Sequence, residues 1–210
     1  MYSSLKTYLK TTLRGELPGS EAHQKMLPPG RSLVVSDHAR SEVQMSSVLL
    51  LIYPEEGELY VCLTRRPATM KNHPGQISFP GGKVEKEDVS AETAALREAQ
   101  EEVGIEPFSV EVLGKLSDLY IEISNFSIQP FLAWSDKRPD FIVNSEEVDE
   151  LILLPLTDLV RNETAAEIEL ETITGKLNVK YFPFKGECIW GATAMILTEL
   201  IDILRQEKKV

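Results

Sequence analysis

Apolar positions along the chain follow two different periods. Residues 48–53 and 59–64 are nearly continuous apolar runs on either side of Pro54-Glu55-Glu56-Gly57, a spacing that predicts a two-stranded hairpin. Residues 110–116 and 127–134 read as further strands, the second near a sheet edge because Pro130 has no N–H to give a ladder. Elsewhere the period is helical. Leu5, Leu9 and Leu13 recur every four residues with Tyr8 beside them, predicting a leading helix that docks one face on the domain. Ala192, Ile196, Leu197, Leu200, Ile201 and Leu204 predict a closing helix with a basic end. Residues 16–31, rich in Pro and Gly around a short helical patch, read as a bridge, and residues 65–78 as a loop too long for a turn. Residues 145–150 resemble one acidic helical turn before a buried segment at 151–156. Residues 161–186 form short strand-like pieces around a Thr174-Gly175 turn. The alternation, without internal repeats, predicts an α/β fold: a mixed sheet with helices on its faces.

Composition narrows the partners. The 33 acidic residues against 22 basic give a net charge of -11, which disfavours a nucleic-acid backbone or an anionic membrane. The mean hydropathy of -0.14 and the lack of any apolar run near the ~20 residues that span a bilayer point to a chain outside membranes. No signal-peptide apolar region opens the sequence. Cys62 and Cys188 are far apart and lack metal-ligand spacing, so a reducing, cytoplasmic setting is expected, with both as small apolar residues.

The chemistry concentrates in residues 81–105, GGKVEKEDVSAETAALREAQEEVGI. At ~100° of turn per helical residue, Glu98, Glu101 and Glu102 project within an arc of roughly 100°. Leu96, Ala99 and Val103 hold the neighbouring arc, so the three carboxylates stand at the rim of a buried stripe. Like charges so spaced repel, a cost that a bridging hard cation offsets, and the pattern predicts a Mg²⁺ or Mn²⁺ site. Arg97 has the forked donors to orient these acids. Gly81-Gly82 allows a close backbone turn before the helix, with the Gly82 carbonyl a further candidate ligand, and Gly104 supplies the helix stop.

This stretch resembles the Nudix box, G-x5-E-x7-R-E-U-x-E-E-x-G-U with U aliphatic. The right half matches at every defined position with Ala99 as U. In the left half fourteen residues separate Gly82 from Arg97 where the pattern has thirteen, and Asp88 stands in for the early acid. Upstream, Cys62-Leu63-Thr64-Arg65-Arg66-Pro67, Lys71, Gly75 and Phe79-Pro80-Gly81-Gly82 resemble the added signature of coenzyme A pyrophosphatases, L-L-T-x-R-[SA]-x3-R-x3-G-x3-F-P-G-G. Spacing agrees throughout, and Cys62, Pro67 and Lys71 depart in identity.

The resemblance implies an α/β/α sandwich with N-terminal and C-terminal helices packed on a mixed sheet. It implies one domain over residues 1–210, with 1–31 a helical extension and 81–105 the box. The implied activity is metal-dependent hydrolysis of the diphosphate of coenzyme A or its thioesters. Glu98, Glu101 and Glu102 would be metal ligands with Gly82, Glu101 being either the third ligand or the proton acceptor, and Arg97 completes the catalytic set. Arg65, Lys71, Gln76, Phe79 and Lys83 are the candidates for binding a small-molecule nucleotide substrate, with Arg66 a further cation in the same segment. Glu147 or Glu150 could add an acid, and Trp134 and Trp190 are either core or adenine-stacking residues. A homodimer is compatible with the sequence. Two rivals stand beside this reading: a hydrolase of ADP-ribose or a dinucleotide, and a catalytically silent nucleotide-binding module. Retention of Arg97, Glu98, Glu101 and Glu102 argues against the second.

Overall fold

A computed structural model of the chain describes residues 2–35, 42–70, 73–161, 166–172 and 175–207. Strands β1 (Gln44–Glu55) and β2 (Glu58–Arg65) form the expected hairpin, closed by Glu56 and Gly57 at φ 49° and 85°. Left-handed φ at both turn residues matches the twist of the strands, so pairing continues to Pro54↔Leu59 and Glu55↔Glu58, deeper than the sequence suggests. β1 is also antiparallel to β4 (Gly81–Lys83) and parallel to β7 (Phe126–Trp134). β2 pairs with β3 (Ile77–Ser78) and β8 (Glu150–Pro155), and β7 with β5 (Glu111–Lys115) and β6 (Leu119–Ile121). Among the described residues this makes an eight-stranded mixed sheet.

Pro130 is not at an edge. β7 lies between β1 on one side and β5 and β6 on the other, and the proline falls where the chain passes between those two short partners. Its carbonyl accepts from the Leu116 N–H at 2.9 Å, and its missing N–H coincides with that gap in the ladder.

Alternation along β1 and β2 gives the sheet two apolar faces. Leu49, Leu51, Tyr53 and Cys62 join Phe131 and Ala133 beneath helix α3 (Ala91–Val103), whose Ala95, Ala99 and Val103 are fully buried. Leu50, Ile52, Val61 and Leu63 face the other way, with Leu9 of α1 (Ser3–Thr12) and the long α5 (Gly191–Glu207). Helix α2 (Gly19–Gln24) is tied to α5 by a buried polar contact: His23 Nε2 meets Glu199 Oε2 at 3.0 Å, and the Gly19 and Ser117 N–H groups donate to the same carboxyl group. Thus the leading and closing helices dock as their periodicity predicts. Among the described residues no helix is long and apolar enough to cross a membrane.

Two regions differ from expectation. Residues 145–147 form a turn without becoming helix, and β8 begins at Glu150. After the short α4 (Leu156–Arg161), β9 (Ala166–Thr172), β10 (Gly175–Phe184) and β11 (Glu187–Trp190) build a separate three-stranded sheet beside α5. Thr174 of the expected turn lies outside the described residues.

Helix α3 has strong stops at both ends. Ser90 Oγ accepts from the Thr93 N–H at 3.1 Å while Thr93 Oγ1 accepts from the Ser90 N–H at 2.9 Å, a capping box with Thr as the reciprocal residue. At the other end Gly104 has φ 71°, and a Cβ there would lie 2.8 Å from the Ile142 Cβ and 2.9 Å from its backbone nitrogen. Gly104→Ala should therefore cost about 2 kcal/mol or more, combining left-handed strain with displacement of Ile142. For a chain of this size that is a fall of roughly 4–8 °C in Tm, readable by calorimetry. An unchanged melting curve would mean that the helix end and the segment around Ile142 relax without cost.

Candidate active site

The site lies where α3 crosses β4. A Cβ on Gly82 would fall 2.5 Å from the Glu98 carboxyl carbon, so only the bare backbone lets that carboxylate lie on the strand. The fully buried Ala94, Ala95 and Ala99 allow the helix to approach the sheet this closely. Glu102, one turn on from Glu98, turns inward. Its Oε2 accepts from the Gly81 N–H at 3.4 Å, and the residue is only 5% exposed.

The third arm comes from far along the chain. Carboxylate oxygens of Glu98, Glu102 and Glu147 all lie within 4.8 Å of one another. Glu147 sits in the turn before β8, while Glu150, the other acid considered, pairs with Arg65 at 2.7 Å. No spacing rule distinguishes the two acids, because the choice depends on how the turn docks against the end of α3.

Electrostatics show what the cluster can hold. Burial pushes the Glu102 carboxyl up to about 8, a rise that nearby Arg66 opposes and Glu98 and Glu147 reinforce. Burial also raises Glu98, against the pull of Arg97. Two desolvated carboxylates beside a third, all oxygen donors, suit a hard divalent cation such as Mg²⁺ or Mn²⁺.

Arg97 is the clasp of the site. Nε and Nη2 grip Asp88 Oδ1 and Oδ2, each at 3.1 Å, while Nη1 donates to Glu98 Oε1 and Glu101 Oε2, each at 2.9 Å. Nη2 also reaches the Lys83 carbonyl at 3.3 Å. Its hydrogen bonds to Asp88 hold that carboxyl below the usual range. Asp88, the stand-in for the early acid, therefore anchors Arg97 and is not gathered with the cluster. Glu101 is half exposed on Arg97, and the structure does not bring it into the three-carboxylate group.

The substrate candidates separate. Arg65 is already balanced by Glu150 at 2.7 Å and Glu187 at 2.9 Å. Arg66, singled out less strongly by sequence, is the cation beside Glu102, and its Nε is buried without a hydrogen-bond partner. Gln76 closes the neck of the 66–76 loop: its carbonyl accepts from the Arg66 N–H at 3.0 Å, and its side chain meets His73 Nδ1 at 2.9 Å. Phe79 must be corrected. It is 2% exposed in the core on the α5 face, so its ring packs and does not meet a ligand. Lys83, the residue after Gly82 on an extended strand, points to the opposite face from Glu98, with its ammonium 5.4 Å from the Phe126 ring. Lys71 lies outside the described residues. Trp134 is core, bonded through Nε1 to Asp136 at 2.9 Å, and Trp190 is part-buried on β11.

The sequence pattern of the NUDIX domain matches residues 43–174. A protein named as an uncharacterized Nudix hydrolase, NudL of Pectobacterium atrosepticum, is 37% identical over 138 residues, which is 66% of this chain and 71% of the relative. The protein of that name in Yersinia pestis is 32% identical over 179 residues, 84% of this chain and 88% of its own. Among solved structures, the NUDIX domain of Shewanella oneidensis NrtR, in complex with ADP ribose, aligns with a TM-score of 0.51 at 16% identity, over 83% of this chain and 94% of that one. At that identity the likeness is one of fold.

The buried carboxylate gives a signed prediction for the metal-free protein. In EDTA, Glu102 is neutral in both folded and unfolded chains at low pH. Between the ordinary carboxylate range and about 8 the unfolded chain ionises first, so stability is lost as pH rises, and above that the loss is constant. Glu102→Gln removes the group that ionises. It should therefore melt higher than the parent in EDTA, by a margin that opens from about pH 5 to 8, and lower than the parent in saturating Mn²⁺. A lower Tm in EDTA at pH 8 would show that the carboxylate is stabilised by something other than a bound cation.

Proposed function

The chain belongs to the Nudix hydrolases, and from that membership we propose that it is a Mg²⁺- or Mn²⁺-dependent diphosphatase acting on coenzyme A or its thioesters. The observation that carries the reading is the gathering of Glu98, Glu102 and Glu147 over the Gly81-Gly82 strand. These three would hold the ion. When bound, it supplies positive charge at the diphosphate and a water of lowered pKa. The chain's own residues do the rest. Arg97 fixes the Glu98 carboxylate, the Gly81 N–H orients Glu102, and Arg66 presents a guanidinium without a carboxylate bonded to its Nε, suited to a phosphate oxygen. Half-exposed Glu101, next to the cluster but not in it, is a candidate proton acceptor. Water adding across the diphosphate of coenzyme A would give adenosine 3′,5′-bisphosphate and 4′-phosphopantetheine.

The substrate assignment is supported by the upstream signature and by where it folds. Residues 63–65 end β2 and residues 77–82 run through β3 into β4, so Arg66 at one end of the signature and Gly81-Gly82 at the other lie beside the carboxylates. A cytoplasmic setting suits the free thiols of Cys62 and Cys188. The raised carboxyls favour an enzyme over a silent module, since a module without metal would keep the desolvation cost for no return.

Glu98→Gln, Glu102→Gln and Glu147→Gln should each lower kcat by more than the ~10–100-fold typical of losing an outer-shell partner, with KM changed little. Near-parental turnover in all three removes the cluster from the reaction. A panel of coenzyme A, dephospho-CoA, ADP-ribose and NADH then tests the substrate. Coenzyme A should exceed dephospho-CoA by roughly ten to a hundredfold in kcat/KM, and Arg66→Ala should narrow that gap. Faster turnover of ADP-ribose than of coenzyme A would move the assignment to another nucleoside diphosphate while leaving the three-carboxylate result intact.

A further inference from the structure

Glu147 reaches the cluster from a turn that shares no element with α3, so something must fix its carboxylate relative to Glu102. One residue bonds to both. The Asn144 N–H donates to the carbonyl of Glu102 itself at 2.9 Å, and the Asn144 carbonyl accepts from the Glu147 and Val148 N–H groups at 3.1 and 2.9 Å. Its side chain does a second job. Oδ1 accepts from the Glu146 N–H at 3.1 Å, an Asx turn that fixes which way the amide faces, and Nδ2 then donates to Glu147 Oε1 at 3.3 Å. Val148, 1% exposed in the α3-side core, anchors the turn from below.

We infer that Asn144 is a positioning residue for the metal centre, setting the Glu147 carboxylate against Glu102 through its amide. The inference rests on the reading of Glu98, Glu102 and Glu147 as the residues that hold the cation. An uncharged donor suits the position. It orients a carboxylate without neutralising it, whereas a Lys or Arg there would compete with the cation for the same oxygens. The backbone bonds of Asn144 build the turn whatever its side chain, so the amide's contribution is separable from the fold.

Asn144→Ser separates it. A serine hydroxyl can still accept from the Glu146 N–H but cannot reach Glu147, so the turn persists without the donor. Mn²⁺ binding measured by calorimetry on the full chain should weaken about tenfold, with the Tm in EDTA near the parent's and kcat reduced at nearly constant KM. In a Glu147→Gln background the same change should weaken Mn²⁺ no further, because its target is gone. If Asn144→Ser folds too poorly to titrate, Asn144→Thr makes the same comparison. Parental Mn²⁺ affinity in Asn144→Ser alongside a weakened Glu147→Gln overturns the inference and leaves the three-carboxylate reading standing. Parental affinity in Glu147→Gln removes both. A loss that adds in full on Glu147→Gln also overturns the inference, since the amide would then act by another route.

Discussion

Desolvation of Glu102 is the constraint around which the neighbouring structure is organised. A carboxylate at 5% exposure, with a second partly buried beside it and a third within 4.8 Å, is unfavourable for the fold taken alone. The surrounding residues limit that cost without abolishing it. Arg97 neutralises Glu98 from the outer side, and Arg66 draws Glu102 down from its raised value, yet no cation bonds directly to Glu102 among the described residues. A site whose charges were fully paired by the protein would have little left for a metal. Partial compensation leaves binding energy available to one.

Close approach makes the arrangement feasible. Helix α3 buries Ala94, Ala95 and Ala99 against the sheet, where larger side chains would lift the helix and separate Glu98 from β4. Gly82 completes the fit from the strand side. The packing of the box helix and the geometry of its acids thus have one cause, small residues on both surfaces, and neither can change without the other.

Features set within one element were legible in the sequence. The 3.6-residue period of α3 already puts Glu98 and Glu102 on the arc beside Ala99 and Val103, and Gly104 marks its C-terminal end, whereas the Ser90 cap emerges only with the structure. Contacts between distant segments were not. Pro130 suggested an edge because the gap between β5 and β6 that accommodates it is a tertiary feature. Phe79 looked available to a ligand because its burial depends on α5, and Arg65 looked free because Glu187 lies on a small sheet formed much later in the chain. Glu147 and Glu150 were equivalent on paper, since docking of the turn by Asn144 decides between them.

The same alternation that builds the core also sorts the cations. On β2, Val61 and Leu63 face α5 while Cys62 faces α3, so the next residues continue the pattern: Arg65 turns to the α5 side, where Glu187 meets it, and Arg66 turns to Glu102. On β4, Gly82 lies under Glu98 and Lys83 turns to Phe126 on the far side. Neighbours in sequence with the same charge thus end in opposite roles, Arg65 fastening the sheet to its second layer and Arg66 left at the carboxylates. The upstream signature carries the same distinction, since Arg65 falls on its undefined position and Arg66 on its defined arginine. Parity carried past the end of β2 thus decides which of the two stands beside the Glu102 carboxyl, and that is Arg66.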